Sequence, residues 1–188
     1  MALTKDIFRQ KCLKNIKNTQ QHNKYYKDAL LNRTLIKELK KVDAQNILFY
    51  YPLGFEADVT KSLKYFRKKL NIFLPFMQDT SFKIVPFRLP LKKKKFGIYE
   101  AGNTIRNIKK IDIAIVPVVG VDGRLQRVGF GKGMYDRFFA KLKKKPYTIF
   151  VQPKICFTRK FVCDDYDIGC DLLITPKLTK RPKRFYRE

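Results

Sequence analysis

The run Ile111-Asp-Ile-Ala-Ile-Val-Pro117 is apolar at nearly every position. A strand with one wet face alternates apolar and polar residues, whereas one that is apolar throughout must be covered on both faces. This run therefore predicts a central strand covered on both faces, and the alternation of strands with helical segments around it predicts an α/β domain with a mainly parallel sheet. The flanking sequence supplies the other parts. Asn46-Ile-Leu-Phe-Tyr-Tyr-Pro52, Asn71-Ile-Phe-Leu-Pro75, Tyr147-Thr-Ile-Phe-Val151 and Asp171-Leu-Leu-Ile-Thr175 read as further strands. Phe82 to Leu89 reads as an edge strand, because Pro86 removes a ladder donor.

Between the strands the apolar period changes to that of helices. Residues 4 to 41 read as two helices. Thr4 is placed to cap the first, with Ile7, Phe8, Leu13 and Ile16 as its apolar positions. The second starts near Asn23 and carries Tyr26, Ala29, Leu30, Leu35, Ile36 and Leu39. Val59, Leu63, Phe66, Arg67 and Leu70 mark a third, and Met134 to Leu142 a fourth. Lys92 to Asn107 is expected to be a loop. In such sheets ligands bind beyond the carboxyl ends of the strands, so Pro52 to Glu56 and the segment after Pro117 are expected to face one cleft.

That second segment contains Arg127-Val-Gly-Phe-Gly-Lys-Gly-Met-Tyr-Asp-Arg137, with glycines at three alternate positions, 129, 131 and 133. Glycines admit positive φ and let an anion approach backbone N–H groups closely. The plainest reading is a loose charged loop. Two arginines and Asp136 at fixed offsets favour a phosphate and metal site instead. The stretch is not a Walker A motif, because Lys132 is followed by Gly133-Met134 with no hydroxyl for a metal, and its glycine spacing is not the Rossmann fingerprint.

Composition narrows the chemistry. The chain has 188 residues, 45% of them hydrophobic, and a net charge of +26. Such a charge makes nucleic acid a partner to consider, and a basic RNA-binding protein using the glycine loop on backbone phosphate is the alternative function. No apolar run spans a membrane and the N-terminus does not read as a signal peptide, so a cytoplasmic protein is expected; a monomer is expected as well. Cysteines at 12, 156, 163 and 170 lack zinc-site spacing and are expected to be reduced, mostly buried thiols. The one histidine, His22, has no nucleophile near it in sequence, which argues against triad hydrolysis. Asp164, Asp165, Asp167 and Asp171 form an acidic cluster in this basic chain. It reads either as a solvated loop or as the source of a second Mg²⁺ carboxylate beside Asp136.

The glycine stretch resembles the Arg-x-Gly-x-Gly-x-Gly-x-Tyr-Asp-Arg motif of the 5-formyltetrahydrofolate cyclo-ligase (5,10-methenyltetrahydrofolate synthetase) family. Five more features resemble the family in order: Lys5 with Arg9, Tyr51 with Glu56, Gly97-Ile-Tyr-Glu-Ala101, Ile115-Val-Pro-Val-Val-Gly-Val-Asp122, and Asp167 before Asp171-Leu-Leu-Ile-Thr175. Departures are Ala101 where proline is usual, Met134 for an aromatic and Lys132 where glycine is common.

The resemblance implies a single three-layer Rossmann-like domain over residues 1–176, of the NagB/RpiA/CoA-transferase-like fold, with 177–188 as a basic C-terminal extension. It implies ATP-dependent cyclisation of 5-formyltetrahydrofolate to 5,10-methenyltetrahydrofolate through a phosphorylated formyl (imino-phosphate) intermediate, releasing ADP and phosphate. ATP would be bound by Lys5, Arg9, Arg127, Val128, Gly129, Phe130, Gly131, Lys132, Gly133, Met134 and Tyr135. Arg127, Lys132 and Tyr135 would be the catalytic residues. Tyr51, Glu56, Met134 and Tyr135 would contact the folate, and Asp136 and Asp167 would hold Mg²⁺. Phosphoryl transfer relies on positioning and charge neutralisation, so the lack of a paired histidine or cysteine fits that chemistry.

Overall fold

Thr4 caps the first helix as its sequence predicts: its Oγ1 accepts the Ile7 N–H at 3.3 Å. The computed structural model describes residues 2–20, 23–94, 99–104, 108 and 110–182; expectations for His22, Lys95, Phe96 to Ile98 and residues 183–188 lie outside them. The helices are α1 (Lys5–Gln20), α2 (Lys24–Leu39), α3 (Thr60–Phe66) and α4 (Met134–Ala140). The main sheet has seven strands: β1 (Asn46–Leu48), β2 (Asn71–Met77), β3 (Phe82–Pro86), β6 (Ile113–Pro117), β9 (Tyr147–Val151), β10 (Leu172–Ile174) and β11 (Thr179–Lys180). Two small ribbons complete the described elements: β4 (Lys92–Lys93) with β5 (Tyr99–Glu100), and β7 (Gly120–Val121) with β8 (Arg127–Val128).

The spatial order is β11-β10-β9-β6-β1-β2-β3. The five inner strands run parallel, and β3 and β11 close the edges antiparallel. β6 is the middle strand and all five of its residues are buried, as its composition requires. Ile113 and Ile115 point into one cluster with Leu31 and Leu35 of α2 and Leu63 and Phe66 of α3. Ala114 and Val116 point into another with Tyr135, Phe138 and Phe139 of α4. The alternation of side chains along one strand thus creates three layers. α1 stands apart on a third cluster, where Phe8, Cys12 and Ile16 meet Val119 of the segment after β6 and Val128 of β8.

Several expectations change. Ile7 is exposed; α1 packs through the expected Phe8 and Ile16 with Cys12 between them, at i, i+4 and i+8. Tyr26 and Ala29 of α2 are also exposed; the buried face is Asp28, Leu31, Asn32, Leu35 and Leu39. Two polar residues hold core-side positions there because their hydrogen-bonding atoms are satisfied, which apolar periodicity does not reveal. The Lys92 to Asn107 stretch is not purely loop, since it holds the β4–β5 pair. The cysteines are not all reduced: Cys12 and Cys156 form a disulfide with Cα atoms 5.6 Å apart, while Cys163 and Cys170 are free. The 144 residues separating Cys12 and Cys156 hide the pairing from sequence, and the docking of α1 produces it. At the other end, Thr179–Lys180 pair with β10 and Arg181 bonds Glu38 of α2 at 2.7 Å, so these residues tie the basic extension to the sheet and to α2.

Candidate active site

From β1 the chain runs to one side through β2 and β3, then returns to place β6, β9 and β10 on the other side. The switch point lies between β1 and β6, where the loops leaving the two strands diverge and open a crevice. Two cavities occupy it. The first, about 340 Å³, is walled by aromatic and apolar side chains, including Tyr50, Tyr51, Phe82, Tyr99, Met134 and Tyr135, with Glu56 among them. The second, about 590 Å³, is polar, with Lys5, Arg9, Gly129, Gly131, Asp136 and Asp167 in its lining. Arg127, Lys132 and Gly133 line both and form the boundary.

Arg127 is 5% exposed and leaves β8 directly into that boundary. Its Nη1 donates to Asp136 Oδ2 at 3.0 Å, and its guanidinium stacks 5.1 Å from the Tyr135 ring centroid. A Cβ at Gly129 would overlap the Arg127 guanidinium, 2.6 Å from Nη2, so the glycine leaves room for the arginine in its present place. Gly131 and Gly133 take φ of 101° and 57°, the left-handed region that carries the loop into α4. Arg137 donates to the carbonyls of Lys132 and Thr80 and braces the loop against the β2–β3 turn.

The polar cavity is filled with paired charges. Lys5 bonds both Asp167 and Asp164, and Arg9 bonds Asp6 and the Gly129 carbonyl. Burial pulls the Lys5 ammonium down, but the bonds to Asp167 and Asp164 outweigh it and leave its pKa above the ordinary lysine value. The helical spacing of Lys5 and Arg9 places both in this cavity. Of the acidic cluster, Asp164 and Asp167 reach the cavity; Asp165 pairs with Arg124 on the surface, and Asp171 accepts the Thr148 N–H.

In the apolar cavity burial dominates the titration of Glu56, pushing its carboxyl up to about 7 against the Leu53 N–H bond and the Arg127 charge. Glu56 Oε2 accepts that N–H at 2.8 Å. Burial also raises the Tyr135 hydroxyl, and the nearby Glu56 raises it further. Tyr51 and Tyr99 lie with centroids 5.4 Å apart, and Phe55 meets Phe130 at 5.1 Å, joining the loop after β1 to the glycine loop.

The expected site residues therefore divide between two compartments. Lys5, Arg9, Arg127, Gly129, Gly131, Lys132, Gly133, Asp136 and Asp167 line the polar cavity. Tyr51, Glu56, Phe130, Met134 and Tyr135 line the apolar one, together with Arg127, Lys132 and Gly133. Val128 lines neither, because its side chain is fully buried against α1. Sequence reasoning missed Tyr166 in the polar lining and Tyr50, Phe82 and Tyr99 in the apolar one. Only the fold brings those aromatics together.

The model of the 5-formyltetrahydrofolate cyclo-ligase family matches residues 2–176. The chain belongs to that family. Family members similar to it include the 5-formyltetrahydrofolate cyclo-ligase of Mycoplasma pneumoniae, 25% identical over 178 residues, covering 92% of this chain and 98% of that one. The Haemophilus influenzae 5-formyltetrahydrofolate cyclo-ligase is also 25% identical, covering 71% of this chain and 74% of that one. The solved structure of Aquifex aeolicus 5,10-methenyltetrahydrofolate synthetase superposes with a TM-score of 0.76 at 25% identity, over 95% of this chain and 93% of that chain. As a member of the cyclo-ligase family the chain is an enzyme, and its mixed α/β fold with a mainly parallel central sheet is the family's. These matches give no support to an RNA-binding role. Among the described residues no helix is long and apolar enough to cross a membrane.

Proposed function

We propose that the chain catalyses the ATP-dependent cyclisation of 5-formyltetrahydrofolate to 5,10-methenyltetrahydrofolate, with release of ADP and phosphate. The observation that carries this reading is the contact between an apolar and a polar cavity across Arg127, Lys132 and Gly133. The partly reduced pteridine and the aminobenzoyl ring of a folate suit the first compartment, a polyphosphate suits the second, and phosphoryl transfer between their ligands occurs at the boundary.

In the proposed reaction the formyl oxygen attacks the γ-phosphorus, and the bond to the bridging oxygen breaks with its electron pair leaving on ADP. The N5 lone pair moves towards the formyl carbon, giving an imino-phosphate. N10 then attacks that carbon, the carbon–oxygen bond breaks, phosphate leaves with the electron pair, and the N10 proton passes to the medium. Arg127 and Lys132 sit at the boundary, where they meet the charge of the transferring group. Lys5 and Arg9, with the N–H groups of the glycine loop, take the remaining phosphate oxygens. Tyr135 supports the Arg127 guanidinium from below. Tyr51 and Met134 pack on the ring system, and Glu56 accepts from its N–H donors.

Asp136 and Asp167 line one cavity, and no cluster of three or more ligating side chains occurs among the described residues. Mg²⁺ characteristically uses one or two carboxylates plus nucleotide phosphates, so this pair fits a cation arriving with ATP better than a resident one. When bound, the cation would neutralise charge on the phosphate oxygens. Asp136 and Asp167 would then release Arg127 and Lys5, their present partners, to the phosphates. Replacing Asp136 with Asn keeps an acceptor for Arg127. The expected result is a native circular-dichroism spectrum and retained folate binding, with turnover down at least about 100-fold, or about 2.7 kcal/mol. Wild-type turnover in a folded D136N variant would remove the carboxylate's proposed role.

A further inference from the structure

α2 presents two buried polar residues, Asp28 and Asn32, where its neighbours at the sheet are leucines. Neither lines either cavity, yet every bond they make outside α2 goes to the segment that carries Glu56 into α3. Asn32 uses its whole carboxamide. Nδ2 donates to the Asp58 carbonyl at 2.5 Å and to the Asp28 carbonyl at 2.7 Å, while Oδ1 accepts from the Ser62 N–H at 2.8 Å and the Ser62 hydroxyl at 2.7 Å. Asp28 Oδ1 accepts the Asp58 N–H at 3.1 Å, and its other oxygen holds Lys24, whose ammonium reaches the Glu56 carbonyl at 3.4 Å. From the opposite side the Tyr50 hydroxyl donates to the Ala57 carbonyl at 2.6 Å. The carbonyls of three consecutive residues, 56, 57 and 58, are thus each held by a different side chain.

A buried amide is costly unless fully bonded, and a leucine would fill the same position against Leu31 and Leu35 without that demand. What the amide adds is direction. A carboxamide with two donors and two acceptors in use fixes the loop in one place, which an apolar contact does not do. The residue so fixed, Glu56, is 8% exposed and places its carboxyl in the wall of the apolar cavity. A site tolerates little displacement of such a group.

We propose that Asn32, assisted by Asp28 and Lys24, is the positioning residue that sets Glu56 in the folate-binding wall; this rests on the proposed function. The groups facing the Glu56 carboxyl are Arg127 from β8, Tyr135 from α4 and Tyr50 after β1; Asp58 on its own loop and Asp28 and Lys24 on α2 stand behind it. None of these is removed by changing Asn32, so a change in Glu56 behaviour would come through the loop.

The test compares wild type with Asn32→Leu, using amide hydrogen exchange, 5-formyltetrahydrofolate binding and steady-state kinetics. In the variant, exchange at residues 56–58 should accelerate in the unliganded protein. Kd and KM for the folate should rise about tenfold or more, while KM for Mg-ATP stays within about twofold. The acid limb of kcat/KM for the folate should move from near 7 towards the ordinary carboxylate range as water reaches Glu56. Should Asn32→Leu fail to fold, Lys24→Met, at a side chain that is 32% exposed, gives the same pattern at about threefold. A folded variant of either kind with wild-type exchange, folate affinity and acid limb overturns the inference. Wild-type protein that binds no folate overturns the proposed function and this inference with it.

Discussion

Glu56 carries its ionisation in the least favourable setting of any described carboxylate with a resolved shift, and its behaviour with pH follows. Its folded pKa, about 7, lies above the ordinary value of 4.5. The stability it contributes is therefore complete below the ordinary carboxylate range and is lost as pH rises through 7. Ionising it in place costs on the order of 3 kcal/mol. Glu56→Gln keeps an acceptor for the Leu53 N–H and removes the charge, so urea midpoints at pH 5.5 and 8.5 should lie closer together than in wild type. Equal spacing in the two proteins would contradict the buried-carboxyl account. Gly129 gives a second residue-scale prediction. Gly129→Ala pushes against the Arg127 guanidinium and not against backbone, so the arginine swings away from Asp136 and from both cavities. Turnover should fall at least about tenfold, with a stability loss of about 1–3 kcal/mol in thermal melts. The sequence brought the glycine loop, Lys5 and Arg9 to notice through their offsets, and Glu56 through the family resemblance. It did not make Asn32 readable, since a lone asparagine in a helix gives no sign of three side-chain bonds made 26 to 30 residues away.

Among the elements, α1 departs furthest from expectation. It carries Lys5 and Arg9 to the polar cavity, and it is fixed by Phe8 and Ile16 packing on Val119 and Val128 and by the Cys12–Cys156 disulfide. A bond closing so long a loop is worth about 2–4 kcal/mol. Thiol titration of denatured, unreduced protein should find two thiols, Cys163 and Cys170, rising to four after reduction. Cys12→Ser should lower stability by about that same amount, and four thiols without reduction would refute the bond. The period of α1 placed it correctly as a helix and gave Phe8 and Ile16 of its buried face, but it included the exposed Ile7 and passed over Cys12. The β7–β8 ribbon escaped notice for a different reason: strands of two residues have no period to read. Yet this ribbon delivers Arg127 to the boundary between the cavities.

For the whole molecule, the mainly parallel sheet followed from strands alternating with helical segments around one apolar run, and the three layers from the family resemblance. The strand order did not follow, and it is the order that puts the switch point between β1 and β6 and so locates the site. The net charge of +26 also acts at this scale. Its field should draw ATP and a carboxylate-bearing folate inward, so KM for Mg-ATP should climb steadily between about 50 and 500 mM salt as the Debye length shortens, with kcat changing less. A salt-independent KM would remove the long-range contribution. The central claim is that two cavities meeting at Arg127 make one two-substrate site. The most direct test is to mix purified protein with 5-formyltetrahydrofolate and Mg-ATP and follow the near-ultraviolet absorbance of the methenyl product. The account predicts that product appears only when both substrates are present and in step with ADP; folded protein giving no product, or product without ATP, would contradict it.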